Sequence, residues 1–434
     1  YYPENPEAGI DLFLEKLVQE TEKEHEDILE QADETDAMFG ELYSWYLRNP
    51  EYRSRIQKLV QSAFAGKPKD IISQSVAKAL YGEVSPYSAT RLERFAACAF
   101  AHFLQYGMKL TERVEYEFKP MDMGNVMHEA LESFAEEVRK RGMKWTELTE
   151  QERNEIADRC LDNIVADYGN TVLKSSARNE YMIERTRRIL RRTVWALQKQ
   201  LEQGEFQPEG FEVTFGGGRI DRVDIMEDQN KVYVKVIDYK TGNTSFDLVY
   251  LYHGLQLQLM IYLDGALRVE QKKYPDKEII PAGVFYYNIK DPMIQEKIDA
   301  DVEAVSAGLM KELKMNGLVQ ADPELVYRMD SSLGSIPVAF NKDGSFRKNS
   351  SVADRTQFAV LGRYVRTKIE KIRSSILEGD AEVSPYELGK KNACTYCPYM
   401  TVCGFDRRLS GYEFRRLKNF SDEELWKAFD REAE

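Results

Sequence analysis

Apolar positions recur at helical spacing through most of the first two hundred residues and switch to a period of two after residue 211. Thr90-x-x-Glu93 reads as a capping box opening a helix, with Leu92, Phe95, Phe100 and Phe103 on its apolar face and Cys98 within it. A second helix follows Gly124, with Met127, Leu131, Phe134 and Val138 in register. A long amphipathic stretch then runs to about 203. Phe211–Phe215, Arg219–Met226 and Lys231–Lys240 alternate as strands, parted by Gly216-Gly217-Gly218 and by Glu227–Asn230. A helix is expected over roughly 248–266, a strand over Ala282–Ile289, a helix over 293–315 and a loop over 328–353. A last strong helix ends at Glu378, with Phe358, Leu361, Val365, Ile369, Ile372 and Ile376 on one face. This order predicts an α/β fold, a mixed central sheet flanked by helices. Residues 1–82 read as a separate helical, acidic segment; its stripe Leu42, Trp45, Leu47, Ile56, Leu59, Val60 suits packing or linking rather than chemistry.

Composition narrows the class. The 434 residues are 43% hydrophobic and 31% charged, with a net charge of −13, as in ordinary globular proteins and unlike fibrous or disordered ones. Such an acidic chain is a poor non-specific nucleic-acid binder overall, which leaves room for local basic patches. No run reaches the roughly 18 apolar residues of a membrane helix, so no membrane is expected. The opening Tyr1-Tyr2-Pro3 is no export signal and lacks an initiator Met, which points to a cytoplasmic chain cut from a longer one. There is no G-x-x-x-x-G-K-[ST], H-E-x-x-H or G-x-S-x-G, so ATP hydrolysis is not expected here.

On the strand Lys231–Lys240, Val234, Val236, Asp238 and Lys240 share one face, because strand side chains alternate. Asp221 shares a face with Val223 and Ile225 on the strand before it. If the two strands pair, Asp221 approaches Asp238, and two carboxylates that close repel unless a proton or a cation intervenes. Mg²⁺ suits a few carboxylates plus water. A plain salt bridge at the sheet end, Asp238 or Asp221 with Lys240, is the competing reading. Asp224 points to the opposite face and is expected to hold Arg222 or a loop.

Taken in order, Gly124-x-x-x-His128, Gly218-Arg219-Ile220-Asp221-Arg222-x-Asp224, Asp238-Tyr239-Lys240-Thr241-Gly242 and Gln258-Leu259-x-x-Tyr262 resemble the RecB-like branch of the PD-(D/E)XK nuclease superfamily. Ile237 stands where the name-giving Pro would be. The resemblance implies a restriction-endonuclease-like core that hydrolyses DNA phosphodiesters with Mg²⁺ or Mn²⁺. It implies metal ligation by His128, Asp221, Asp238 and the carbonyl of Tyr239. Lys240 would orient or activate the attacking water, and Gln258 and Tyr262 would position the substrate strand.

The five cysteines are too few for a disulfide scaffold, and Cys394-x-x-Cys397-Pro398-Tyr399-x-x-x-Cys403 puts three on one short loop. Cys98 is the better fourth ligand; Cys160, mid-helix beside Asp158 and Arg159, reads as a plain thiol. Spacing alone allows zinc, with His102 as an alternative ligand, or an iron–sulfur cluster. One Cys before the nuclease motifs and three after them resembles the iron-stapled nucleases, among them CRISPR-associated exonucleases and the nuclease subunits of AddAB-type helicase–nucleases. Ser85-Pro86-Tyr87-Ser88-Ala89-Thr90-Arg91-Leu92-Glu93 strengthens the second likeness. This implies a structural 4Fe–4S cluster on Cys98, Cys394, Cys397 and Cys403, a nuclease domain over 83–405 and a C-terminal tail over 406–434. It implies an AddA-like helicase–nuclease partner, and action on the 5′-ended strand at double-strand breaks during recombinational repair. A stand-alone exonuclease, or a DNA-end-binding scaffold without catalysis, are the alternatives. Arg188 and Arg192, and Lys390, Lys391, Arg407 and Arg408, are candidate DNA contacts, although a solvated charged face is the usual role of such patches.

Overall fold

In the computed structural model, residues 10, 13–14, 34–63, 71–82, 88–111, 120–167, 176–216, 218–294, 301–409 and 411–433 are described. The lead Ser85-Pro86-Tyr87 and the middle glycine of the Gly216-Gly217-Gly218 turn lie outside them. The chain forms two compact units. One comprises 1–83, 97–110 and 374–418; the other comprises 84–96, 111–373 and 419–434.

The larger unit contains a six-stranded sheet in the order β1-β2-β3-β4-β5-β6, with β1 Gln207–Phe215, β2 Gly218–Asp228, β3 Lys231–Lys240, β4 Glu278–Asn288, β5 Asn316–Gln320 and β6 Val352–Ala353. β1, β2 and β3 are antiparallel, β3 and β4 parallel, β4 and β5 antiparallel, and β5 and β6 parallel. This is the mixed α/β architecture that the sequence predicts. β5 escapes the periodicity because it is short and contains Gly317. That glycine is required by strand approach: a Cβ there would collide with the Val284 carbonyl oxygen.

The labelled helices are α1 Ala89–Ala97, α2 Pro120–Lys140, α3 Glu150–Asp167, α4 Ala177–Glu202, α5 Leu248–Tyr252 and α6 Gln258–Lys273. α2, α3 and α4 share one apolar core with one face of the sheet, where Phe134, Leu161 and Leu197 meet Met226, Ile237 and Tyr239. α6 packs on β2, β3 and β4. The single helix expected over 248–266 is two. The Asp247 side chain caps α5, and the break before Leu257 gives α6 a fresh N-terminus. The helix expected over 293–315 is observed at Val302–Glu312.

In the smaller unit, Ile10, Phe13, Leu42, Tyr46 and Ile56 form a separate apolar cluster with Trp45, Leu59 and Val60 against it, which agrees with a packing role for that stripe. Cys98 does not lie within a helix. α1 ends at Ala97, Cys98 is extended at φ −166°, and a new short helix spans Ala99–His102. Among the described residues, no helix is long and apolar enough to cross a membrane.

Candidate active site and thiol centre

β2 and β3 pair with Arg222 opposite Ile237 and Val223 opposite Val236, so one step further Asp221 stands across from Asp238. Asp221 also accepts the Tyr239 amide at 2.7 Å, which locks its carboxylate at the strand end. α2 delivers His128 to the same place. Its Nε2 lies 3.1 Å from the Tyr239 carbonyl and its Nδ1 3.3 Å from Asp221. Lys240 Nζ sits 2.7 Å from Asp238 Oδ2 and donates at 2.7 Å to Gln258 Oε1. Gln258, first residue of α6, donates to the Tyr262 hydroxyl one turn on at 2.9 Å. The structure therefore brings together His128, Asp221, Asp238, Tyr239, Lys240, Gln258 and Tyr262.

The electrostatics are those of a place that wants a cation. Burial, and then the neighbouring Asp221, push the Asp238 carboxyl up to about 7 against the pull of Lys240. Burial opposes a charge on His128, but Asp221 and Glu212 outweigh it and push its pKa up to about 10. Burial keeps the Tyr262 phenol protonated.

Two acids of the site escape the sequence reading. Glu212 on β1 lies 3.7 Å from His128 Nδ1 and also pairs with Arg219. It has φ +49°, a costly conformation for a side chain other than glycine, and it falls between Phe211, opposite Arg222, and Val213, opposite Ile220, hence across from Asp221. With His128 and Asp221 it forms a group whose ligand atoms all lie within 4.8 Å of one another. Its place follows from the β1–β2 register, which periodicity within one strand does not give. Glu93 is the second, and it corrects the expected capping box. α1 begins at Ala89, with Ser88 Oγ accepting the Arg91 amide, and Glu93 reaches the N–H groups of Leu257 and Gln258 instead. Its partners lie 164 and 165 residues away, beyond any local signal.

In the smaller unit, Cys98, Cys394, Cys397 and Cys403 line one small cavity with Phe100 and Tyr399. Burial and the neighbouring thiols push Cys394 up to about 12. His102 is not among the cavity's lining; it is fully buried, with ring centroids 5.2 Å from Tyr81 and 5.1 Å from Tyr106. Cys160 belongs to the apolar core around α3, as a plain thiol would, and burial raises it to about 11.

The basic residues are less free than their spacing suggests. Arg187 and Arg191 pair with Asp158 and Asp162. Arg188 is 2.5 Å and Arg192 3.9 Å from Asp291. Arg408 pairs with Asp406, and Arg407 lies over Phe414, while Lys390 and Lys391 are exposed.

The sequence profile of the PD-(D/E)XK nuclease superfamily matches residues 86–404. The chain belongs to that superfamily. It is similar to proteins named as a subunit of an ATP-dependent helicase/deoxyribonuclease: 41% identical to that of Lachnoclostridium phytofermentans, 34% to that of a Thermoanaerobacter strain and 33% to that of Clostridium acetobutylicum. In each case 92% of this chain is matched, yet it spans only 36–37% of the relative's length.

Proposed function

We propose that this chain is the nuclease portion of a helicase–nuclease subunit, hydrolysing DNA phosphodiesters at double-strand breaks with Mg²⁺ or Mn²⁺. The observation that carries the reading is the convergence of Asp221, Asp238, His128 and the Tyr239 carbonyl, with Lys240 beside them. Hard oxygen donors with one imidazole fit a hard divalent cation, and Glu212 adds a carboxylate on the His128 side. When bound, such a cation lowers the pKa of an attacking water and screens the charge that develops on the phosphate. Asp221 is held in place by the Tyr239 amide, and His128 by that residue's carbonyl. Lys240, held by Gln258 and Asp238, presents a compact positive charge to the scissile phosphate. Tyr262 keeps the Gln258 amide in a single orientation.

The names of the relatives support a partner of AddA-like kind that supplies ATP-driven unwinding, and the reading extends to cutting of the 5′-ended strand during recombinational repair. A scaffold without catalysis is disfavoured by the presence of every metal-binding and lysine position. Labelled single-stranded DNA, incubated with Mg²⁺ or Mn²⁺ or with a chelator, tests the reading. Metal-dependent cleavage is expected, and none in either metal would overturn it. Arg188, Arg192, Lys390, Lys391, Arg407 and Arg408 are the candidate phosphate contacts.

The thiol centre is proposed to hold a 4Fe–4S cluster on Cys98, Cys394, Cys397 and Cys403. Four thiols lining one small apolar cavity are the donor set that such a cluster takes. Closing the 296 positions between Cys98 and Cys394 constrains the unfolded chain, so the role is structural. Protein purified without air is expected to be brown and to carry about four iron atoms. Cys98→Ala should lose them and Cys160→Ala should not. Colourless protein with one zinc would remove the cluster and leave the nuclease reading standing.

A further inference from the structure

Glu93 sits beside the site without touching the proposed metal ligands. Its Oε1 alone accepts two hydrogen bonds, from the Leu257 amide at 2.7 Å and the Gln258 amide at 2.9 Å. These N–H groups open α6, and the residue preceding that helix, Leu257, supplies no side-chain cap of its own. The first amides of a helix have no partner within it, and a negative group there is favoured by the helix dipole. Glu93 therefore caps α6 from a different helix, α1.

What the cap holds gives it consequence. Gln258 occupies the first position of α6, and its amide spans Lys240 on one side and Tyr262 on the other. The Lys240 ammonium also pairs with Asp238. If the first turn of α6 shifts, the amide leaves Lys240, and the ammonium is left to Asp238 and to the Tyr286 ring 5.5 Å away. An ion pair of that kind neutralises the carboxylate that the metal needs and draws the lysine back from the substrate.

We propose that Glu93 is a positioning residue for hydrolysis, holding the Gln258 amide against Lys240 by capping α6 from α1. The proposal rests on the nuclease reading above. It is distinct from a general stabilising role because it acts through one side chain. Burial raises the Glu93 carboxyl to about 7, so its charge is weakly held near neutral pH; what the geometry needs is the Oε1 acceptor, which glutamine also offers.

The test is steady-state cleavage of single-stranded DNA by the full chain in Mn²⁺, with Mn²⁺ affinity measured by calorimetry. Glu93→Ala is expected to lower kcat about tenfold to a hundredfold, as a misplaced catalytic group does. KM and the Mn²⁺ Kd should stay within about twofold, because binding is left alone. Glu93→Gln should recover kcat to within about threefold of wild type, since its oxygen can keep both bonds. In a Gln258→Ala background, Glu93→Ala should cost nothing further, as two members of one chain of contacts do not add. If Glu93→Ala fails to fold, Glu93→Asp, which withdraws the oxygen by one methylene, is read the same way. Normal kcat in the Ala or Asp variant, a Gln variant as impaired as Ala, or effects that add with Gln258→Ala would each overturn the proposal. Where the wild type cuts DNA, these outcomes remove Glu93 alone. Where it cuts none, the nuclease reading falls and takes this one with it.

Discussion

Two charged clusters lie on opposite faces of the central sheet, and both are built around aspartate and lysine from β2 and β3. On one face, Asp224 holds Arg222 at 2.6 and 3.0 Å and Lys235 at 2.8 Å. Arg222 lies 5.7 and 5.6 Å from the centroids of the Trp145 and Phe211 rings, which stack on each other, and Lys235 lies over Phe206. Their side chains are 2%, 0% and 7% exposed for Arg222, Asp224 and Lys235. On the other face, Asp221 and Asp238 stand opposite each other, with Lys240 28% and His128 27% exposed. The first cluster is closed and internally paired. The second has more acid than its lysine can neutralise and an opening to solvent. Both contain a carboxylate and a lysine, yet only one is built to receive something, and the parity of the strand decides which.

The sharpest way to break that contrast is Asp238→Ala. Cleavage should fall by orders of magnitude, each 1.36 kcal/mol of lost transition-state stabilisation being about tenfold. DNA binding and Tm should hold or rise slightly, since one of two repelling carboxylates is gone. A variant that cuts DNA at the normal rate would refute the site. Asp224→Ala should do the reverse. It leaves Arg222 and Lys235 buried without a counter-charge, at a cost of about 3–5 kcal/mol, read as a lower Tm or midpoint in urea. A stable but inactive Asp224→Ala protein would place Asp224 in the chemistry instead.

The two regions should also answer pH with opposite signs. Burial would raise the Asp224 carboxyl, but Arg222 and Lys235 outweigh it and hold it below its usual 3.8. Its stabilisation is present above that value and is lost as pH falls through the depressed native pKa. Glu93 is raised from 4.5 to about 7, chiefly by burial. Its contribution is complete below 4.5 and is lost as pH rises from there to about 7, by at most about 3 kcal/mol. Against Glu93→Gln, wild-type Tm should therefore decline across that window and run parallel above it. A constant difference from about pH 4 to 8 would show that Glu93 is not raised.

The smallest effects belong to the arginines of α4. Arg191→Ala should change stability by less than about 1 kcal/mol, because its pair with Asp158 is solvent-exposed. Arg188→Ala should weaken DNA binding uniformly across sequences and reduce the salt slope by about one if it touches phosphate. An unchanged slope assigns it to Asp291 alone.

Much of this site is legible because its key residues sit on strands whose period is two. Asp238 and Lys240 have to share a face, and Asp221 can meet Asp238 once β2 and β3 pair. The same rule places Asp224 with Arg222, but nothing in the pattern marks Lys235 as its second partner. That contact follows from the pairing of Asp224 with Lys235 across the ladder. Glu93 misleads because a capping box is defined by residues three apart, and its actual partners come from another helix.

Local periods, the face on which each strand residue lies and the clustering of three cysteines on one loop all follow from the order of residues. They depend on interactions within a few positions, where the chain leaves little choice. Tertiary packing settled the rest. It broke the helix at Cys98, split the helix after β3 so that Gln258 begins one, and brought Glu212 across from Asp221 through the pairing of β1 with β2. It also paired most of the basic stripe of α4 with carboxylates from elsewhere in the larger unit. Each of these depends on which distant segments come to lie side by side, and the free energy of a buried charge or an open helix end is set by those neighbours.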